Sequence, residues 1–357
     1  ITYKDIVINT IGDPHLGRVF KNNVPKNNIG VRENLICKEF ISHINPSNSP
    51  NFVVIMGDLF DKTNIQNNVL WFAIQELLKA SVANPDITYV ILAGNHDLSK
   101  DTHLKSSFSL FLLFFTQNKD MYSNIKIMHS DNEAEWYFST DSVDLYFIPY
   151  LPFTEVDQKD FFKPKTKYTI CFGHWDVTDF SKLSGTSTFH INSIPKSVLN
   201  NADLVVTGHE HLPKITKLGL NLKCIVTGSM QPYAHGEQLG TELLYKTEDL
   251  DTVVGNLNKD TEFYSNTNLR INLKLEETVP VFNCLSVMYT YQKEVQENKV
   301  EVEEELSNTI QPLSFSTLLY ERLQETSDDN LIALNKYLED CFMNKTYDTW
   351  KFNEQST

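Results

Sequence analysis

Short apolar runs recur along the first two-thirds of the chain, and each of them leads into a turn that contains glycine. β-Branched and aromatic residues dominate the runs, which is typical of strands that are buried on both faces of a sheet. Five runs share this form: Ile6–Ile11, Phe52–Met56, Tyr89–Ala93, Tyr168–Phe172 and Leu204–Thr207. The pattern therefore predicts five buried strands, each ending in a sharp turn.

Segments with helical periodicity follow each of the first three strands. Apolar residues three and four positions apart predict helices over about 31–44, 67–80 and 105–117. Shorter strands are predicted from 125 to 150 and from 203 to 227. This alternation of strand and helix is typical of a layered α/β domain.

The character of the sequence changes twice towards the C-terminus. We place the end of the α/β domain at residue 245 and predict a small α+β capping domain over 246–300, because residues 262–292 alternate weakly between apolar and polar. From 301 to 357 the chain is acidic and has one apolar stripe at helical spacing, which predicts a helical tail. The stripe comprises Leu331, Leu334, Leu338, Cys341 and Phe342, and its simplest interpretation is a face that packs in a core.

Composition places the chain among ordinary globular proteins. Its 357 residues are 41% hydrophobic and 22% charged, and the longest apolar run, Phe108–Phe115, is too short to cross a bilayer. No basic segment precedes an apolar one in the manner of a secretion signal. The five cysteines are odd in number and scattered, which favours free thiols over disulfides. These features predict a cytoplasmic protein that does not bind a membrane.

The net charge of −15 would by itself argue against a nucleic-acid partner. Most of this charge belongs to the tail, because residues 294–357 hold 14 acidic and 5 basic residues. The preceding residues carry only −6, and bound metal ions would add positive charge to them. Composition therefore leaves DNA open as a substrate.

The turns after the five strands carry metal-ligand residues. In open α/β sheets such residues gather beyond the carboxyl ends of the strands, so turns far apart in sequence can converge. The predicted ligands are Asp13, His15, Asp58, Asn95, His174, His209 and His211. Carboxylate, amide and imidazole ligands without thiolate suit Mn²⁺, Fe²⁺ or Zn²⁺. Seven ligands are too many for one ion, so we predict two ions bridged by the carboxylate of Asp58.

The turn Gly94-Asn95-His96-Asp97 contains two further candidates for the chemistry. His96 directly follows a predicted ligand, so we expect its side chain to point away from the metals and to contact the substrate. Asp97, or another carboxylate, is expected to fix the tautomer of that imidazole. Any one of these turns alone could be a capped strand end or a surface residue. All five together favour a composite metal site with His96 and Asp97 as catalytic residues.

In order, the turns read D-x-H, G-D-x-x-D, G-N-H-D, G-H and G-H-x-H, which resembles the calcineurin-like metallophosphoesterases. Within that family the chain looks most like the SbcD-type nucleases, the DNA-repair nuclease subunits of the Mre–Rad class. The stretches that carry this finer resemblance are Asp13-Pro14-His15-Leu16-Gly17, Gly57-Asp58-Leu59-Phe60-Asp61 and Gly228-Ser229 with Gly236-Glu237. Gly173-His174-Trp175-Asp176 is similar to phage members, which favours a phage origin and a location in the host-cell cytoplasm.

The resemblance implies an α/β fold of the four-layer α/β/β/α sandwich type. It also implies that one ion is held by Asp13, His15, Asp58 and His211, and the other by Asp58, Asn95, His174 and His209. Mn²⁺ is the expected metal, with Mg²⁺, Fe²⁺ or Zn²⁺ as alternatives. The chain lacks the G-D-x-V-D-R-G and G-N-H-E motifs of the protein phosphatases of this superfamily. Asp61 stands where purple acid phosphatases have a tyrosinate.

The function that this resemblance implies is that of the nuclease subunit in an SbcCD/Mre–Rad-type complex for DNA repair and recombination. Two-metal hydrolysis of DNA phosphodiesters would give 3′→5′ exonuclease and endonuclease activity, with His96 steering the phosphate or protonating the leaving oxygen. The alternative is a stand-alone phosphodiesterase or phosphatase that acts on small molecules. The implied partners are DNA, an SMC-like ATPase bound by the C-terminal helices, and a second copy of this chain in a heterotetramer.

Basic residues near the turns are candidates for contacts with DNA. Arg18 follows the first turn, whereas His103 and Lys105 follow the third. Lys163 and Lys165 belong to a basic run that could track a phosphate backbone. A solvated helix start and ordinary surface lysines are the alternatives for these positions.

Overall fold

The computed structural model describes ten stretches of the chain. They are 1–99, 104–130, 136–151, 167–178, 193–195, 199, 201–217, 222–237, 244–274 and 277–291. The predicted helical tail at 301–357 and the DNA-contact candidates His103, Lys163 and Lys165 lie outside them. Within the described part, no helix is long and apolar enough to cross a membrane.

The first sheet has five strands in the order of the sequence. They are β1 (Thr2–Tyr3), β2 (Ile6–Ile11), β3 (Phe52–Ile55), β4 (Thr88–Leu92) and β5 (Ile125–Met128). The strands β2 to β5 are parallel, and β1 pairs antiparallel with β2. All the carboxyl ends of the parallel strands therefore lie along one edge.

The second sheet has six strands, and a separate parallel pair follows the turn after its third strand. The strands are β6 (Tyr137–Ser139), β7 (Val143–Ile148), β8 (Tyr168–Gly173), the pair β9 (Asp176–Thr178) and β10 (Ser193–Pro195), then β11 (Leu204–Thr207), β12 (Lys214–Lys217) and β13 (Lys223–Val226). The sheet order is β12-β13-β11-β8-β7-β6. Its four inner strands are parallel, so β8 and β11 also end at one edge.

Three helices cover the first sheet, as the periodicity predicts. They are α1 (Val31–Ile44), α2 (Asn67–Ala83) and α3 (Ser107–Gln117). Val53 and Ile55 of β3 pack against these helices, whereas the alternate residue Val54 packs against the second sheet. This division follows from the two-residue period of a strand. Fully burying each large apolar side chain contributes about 1.5–3 kcal/mol. One core therefore holds the helices on the first sheet, and the other holds the two sheets together.

The residues after the second sheet form a third sheet of their own. It contains β14 (Leu244–Asp249), β15 (Thr267–Leu273) and β16 (Ser286–Tyr291), all parallel, with α4 (Leu250–Leu257) between the first two strands. Val253, Tyr264 and Leu269 belong to its small core. Because these strands are parallel and a helix connects two of them, the expected α+β character stays a prediction, as do the boundary and the capping role.

Arg32 of α1 joins the third sheet to the α/β core. Arg32 is 3% exposed, and its guanidinium donates to the Tyr245 hydroxyl (2.5 Å), to the Asn268 side-chain oxygen (3.4 Å) and to the Pro232 carbonyl (2.9 Å). It also stacks on the ring of Phe20, 3.8 Å from the ring centroid. A buried guanidinium needs such partners, because leaving donors unpaired in the interior is costly.

The observed architecture is a mixed α/β fold. One helical layer, the first sheet and the second sheet account for three layers of the predicted α/β/β/α sandwich. The described helices pack on the first and third sheets, so the second helical layer of that sandwich stays a prediction.

Candidate metal centre

The five predicted turns converge where the two sheets meet at their carboxyl edges. The turns follow β2, β3 and β4 of the first sheet and β8 and β11 of the second. Hydrogen bonds join the two sheets at this point, because the His174 Nδ1–H donates to the Met56 carbonyl (2.9 Å) and the His209 N–H donates to Asp13 Oδ2 (3.1 Å). The structure therefore brings all seven predicted ligands into one cluster.

One part of the cluster is formed by Asp13, His15 and His211, which together have the geometry of a metal-binding group. The Nε2 atoms of His15 and His211 are 3.2 Å apart, and His211 Nε2 is 3.9 Å from Asp13 Oδ2. Burial lowers the pKa of His15 to about 3, so this ring is neutral. Two imidazole nitrogens that face each other beside a carboxylate are well suited to converge on a cation.

The other part is formed by Asn95, His174 and His209 around Asp58. The Asn95 side-chain oxygen is 2.9 Å from His174 Nε2 and 3.1 Å from His209 Nδ1. Asp58 Oδ2 lies 3.4 Å from His174 Nε2 and 3.9 Å from His15 Nε2, so it faces both parts of the cluster. This position suits the bridging role predicted for Asp58.

The electrostatics of the cluster favour bound cations. Burial raises the pKa of Asp13 to about 6, because a carboxylate without water is costly to ionise. Burial would raise the pKa of Asp58 as well, but His174 and the other imidazoles outweigh this effect and hold it below its usual range. Two buried carboxylates among imidazole nitrogens are a donor set that fits divalent ions.

Three of the predicted ligands have left-handed backbone conformations. His15 has a φ of 46°, Asp58 of 47° and His209 of 77°. Such conformations cost about 1–3 kcal/mol each for residues other than glycine, and they concentrate at functional sites. The fold therefore holds these side chains in place against a local cost.

Gly57 shows why the turns contain glycine. Its φ is +106°, and a Cβ atom on it would lie 2.3 Å from His174 Nδ1. Any larger residue would push the imidazole out of the cluster. The close approach of the backbone and the His174 ring explains the glycine before Asp58.

The His96 side chain is 44% exposed and borders the cluster. Its Nδ1–H donates to the main-chain carbonyl of Asp61 (2.7 Å), which leaves Nε2 free to face the cluster, 4.0 Å from Asp58 Oδ2. The backbone N–H of His96 donates to Asp58 Oδ1 (2.8 Å). The ring is thereby oriented by the turn that carries Asp58.

Asp97 makes different contacts from those expected of it. The carboxylate accepts hydrogen bonds from the N–H groups of Leu59 (3.2 Å), Phe60 (2.9 Å) and Gly94 (2.9 Å), and it is fully buried. Burial raises its pKa to about 8. Because Asp97 accepts from Gly94 within its own turn, its side chain points beneath the turn rather than towards the His96 ring. Its contacts correct the expected role: Asp97 links two turns, and the Asp61 carbonyl orients His96.

The described candidates for DNA contact lie at different distances from the cluster. The Arg18 side chain is about one-third exposed, forms an ion pair with Asp61 (3.3 Å) and stacks over the ring of Tyr233 (4.9 Å). Lys105 is exposed just before α3. Arg18 thus borders the metal cluster, while Lys105 belongs to the neighbouring surface.

Sequence reasoning missed two residues that support the cluster. The Tyr233 hydroxyl donates to the carbonyl of Pro14 (2.5 Å), and its ring packs edge-on against His15. Glu237 accepts from His211 Nδ1–H (3.2 Å). The pair Gly236-Glu237 was part of the family resemblance and could have served as a signal. Nothing in the spacing indicated Tyr233.

Comparisons with known proteins agree with this geometry. The family model of the calcineurin-like phosphoesterases matches residues 6–213, more than half of the chain and all seven predicted ligands. No curated protein matches the chain. The chain is similar to a solved structure described as GAP50, the anchor in the inner membrane complex of Plasmodium, with 14% identity, a TM-score of 0.33 and coverage of 63% of this chain and 72% of that chain.

Proposed function

Because this chain belongs to the calcineurin-like phosphoesterase family, we propose that it is a nuclease that hydrolyses DNA phosphodiesters. Family membership makes it a metal-dependent phosphoester hydrolase that binds two divalent metals. The finer proposal, that the substrate is DNA and that the metal is Mn²⁺, draws on the SbcD-like stretches around Asp13, Asp58 and Gly228. A role in DNA repair or recombination, and a phage origin, belong to the same proposal.

The observation that carries the proposal is the position of His96 beside two groups of metal ligands. Asp13, His15, Asp58 and His211 would hold one ion, and Asp58, Asn95, His174 and His209 the other. When bound, the ions polarise the phosphodiester and activate the attacking water. The chain itself supplies the rigid turns that fix these ligands, as the left-handed backbone at His15, Asp58 and His209 indicates.

His96 would protonate the leaving group. In hydrolysis a water oxygen bonds to phosphorus and releases a proton to the solvent, the bond from phosphorus to the 3′-oxygen breaks, and that oxygen takes up a proton. The Nδ1–H of His96 is engaged by the Asp61 carbonyl, so its exposed Nε2 is the atom able to deliver the proton. Arg18, partly exposed beside the cluster, would contact an adjacent phosphate.

We expect the protein to shorten end-labelled duplex DNA in the presence of Mn²⁺. A 5′-labelled strand should give a ladder of products that shorten from the 3′ end, resolved by denaturing gel electrophoresis. The matched control is Asp58→Asn, which removes the bridging carboxylate and should give no ladder. Turnover of a nitrophenyl phosphodiester or a cyclic nucleotide by a wild-type protein that leaves DNA intact would instead favour the small-molecule phosphodiesterase.

We also propose that two copies of this chain associate through α2 and α3. Trp71 is 56% exposed, Leu110 55% and Leu113 51%, and apolar faces of this kind are costly to leave in water. The variant Leu113→Asp should therefore shift the mass measured by light scattering towards the 41.1 kDa of one chain. Val281→Asp, on the fully exposed surface near the third sheet, is the matched control and should not change the mass. A wild-type protein that is already monomeric would contradict the proposal.

The proposed ATPase partner would bind the acidic tail at 301–357. The apolar stripe from Leu331 to Phe342 would dock into a groove of an SMC-like ATPase as an amphipathic helix. The chain would then supply the phosphodiester chemistry, and the partner would supply ATP hydrolysis.

A further inference from the structure

The segment after β13 turns back twice towards the Asp13–His15–His211 group. Tyr233 approaches it first and holds the loop before His15 through the Pro14 carbonyl. Gly236 then has a φ of +99°, and the following residue, Glu237, contacts His211 of the same group. Neither residue lies within the region matched by the family model.

Glu237 makes two hydrogen bonds through one carboxylate oxygen. Its Oε2 accepts from the Tyr233 N–H (2.9 Å) and from the His211 Nδ1–H (3.2 Å). Because a carboxylate accepts and cannot donate, the second bond requires the proton of the neutral His211 ring to be on Nδ1. The lone pair is then on Nε2, the atom that faces His15 Nε2 and Asp13 Oδ2.

We propose that Glu237 is a positioning residue that holds His211 in the orientation and tautomer needed to bind a divalent metal. This inference rests on the metal site of the proposed function and adds a residue to it. A metal-bound histidine commonly donates its outer N–H to a carboxylate, which fixes the ring and increases its basicity as a ligand.

The contrast with His174 explains why His211 depends on a side chain. His174 is fully buried, and its Nδ1–H donates to the Met56 main-chain carbonyl, which no substitution removes. The His211 side chain is 25% exposed, so packing alone constrains it less. Burial lowers the pKa of His211, but the hydrogen bond and charge of Glu237 outweigh burial and raise it.

The test measures Mn²⁺ binding by isothermal titration calorimetry with the full chain and without DNA. The wild type should bind two ions. Glu237→Ala should lower the affinity for one ion by about 10–100-fold and leave the affinity for the other unchanged. Glu237→Gln should lose less than the alanine variant, because its amide oxygen can still accept from His211 and from the Tyr233 N–H. Glu76→Gln, which removes the same charge from a partly buried glutamate of α2 that pairs with Lys79, is the matched control and should bind as the wild type does.

The outcomes separate this inference from the proposed function. If the wild type binds two ions and Glu237→Ala binds both with unchanged affinity, the role of Glu237 is overturned and the proposed function is not. Equal losses in the alanine and glutamine variants would overturn the hydrogen-bond mechanism. A wild type that binds no Mn²⁺ would contradict the metal site itself. If circular dichroism shows that the alanine variant does not fold, the comparison of Glu237→Gln with the wild type decides. A weaker affinity for one ion is then the expected result, and an unchanged affinity for both ions would overturn the role of Glu237.

Discussion

Replacing His96 by serine is expected to reduce DNA cleavage by about 10²–10⁴-fold, the range typical of losing a general acid. Serine cannot deliver a proton at neutral pH, and the leaving 3′-oxygen would depart as an unprotonated alkoxide. The metal ligands should be unaffected, because the backbone N–H at position 96 can still donate to Asp58 whatever side chain it carries. We therefore expect cleavage to be lost while two Mn²⁺ ions still bind.

The measurement combines a single-turnover cleavage assay on labelled duplex with a calorimetric titration of Mn²⁺ on the same preparations. His43→Ser is the matched control, since His43 is an exposed histidine on α1 that pairs with Glu39 in its own helix. If His96→Ser cleaves DNA at the rate of the wild type, His96 is not the general acid. Loss of one Mn²⁺ from the variant would instead make His96 a ligand, as its proximity to Asp58 and His15 allows.

Asp97→Asn is expected to cause the largest loss of stability among conservative substitutions in the cluster. Asparagine can keep its oxygen where Oδ2 accepts from the N–H groups of Leu59 and Gly94. Its amide nitrogen would then face the Phe60 N–H, so two donors meet where a donor and an acceptor now pair. With unsatisfied buried donors costing about 1–3 kcal/mol each, we expect the free energy of unfolding to fall by about 2–4 kcal/mol.

Urea unfolding followed by tryptophan fluorescence would measure this change. The matched control is Asp86→Asn, an identical change at an exposed position between α2 and β4, where surface substitutions usually alter stability by less than about 0.5 kcal/mol. Equal unfolding midpoints for Asp97→Asn and the wild type would show that the carboxylate does not hold the two turns together. Because both turns carry predicted ligands, Mn²⁺ affinity should fall in parallel with stability.

The strands and the ligands could be predicted because their signals are local. Strands buried on both faces need continuous apolar residues, so Phe52–Ile55 and Leu204–Thr207 stand out from the sequence alone. Parallel strands end at a common edge, which explains why Asp13 and His209 meet although they are 196 positions apart. The helices were equally predictable, and α1 has the bounds that its periodicity indicated.

The supporting contacts could not be predicted, because they depend on how loops pass one another in three dimensions. Asp97 is next to His96 in sequence, and adjacency suggested a contact between their side chains. In the structure the carboxylate turns inward, and a carbonyl 35 residues away orients the imidazole. Tyr233 and Glu237 likewise act on residues more than 20 positions distant, and no periodicity connects such partners.

The distance in sequence between the ligands has a consequence for how the protein is made. His15 and His211 form one group although 196 residues separate them, so their side chains can meet only after both sheets have assembled. Parallel sheets with such distant contacts fold slowly. At a synthesis rate of about 5–20 residues per second, the ribosome needs roughly 10–40 s to pass from the first of these histidines to the second. A nascent chain therefore cannot complete the metal cluster early, and metal binding would report that the whole domain has folded.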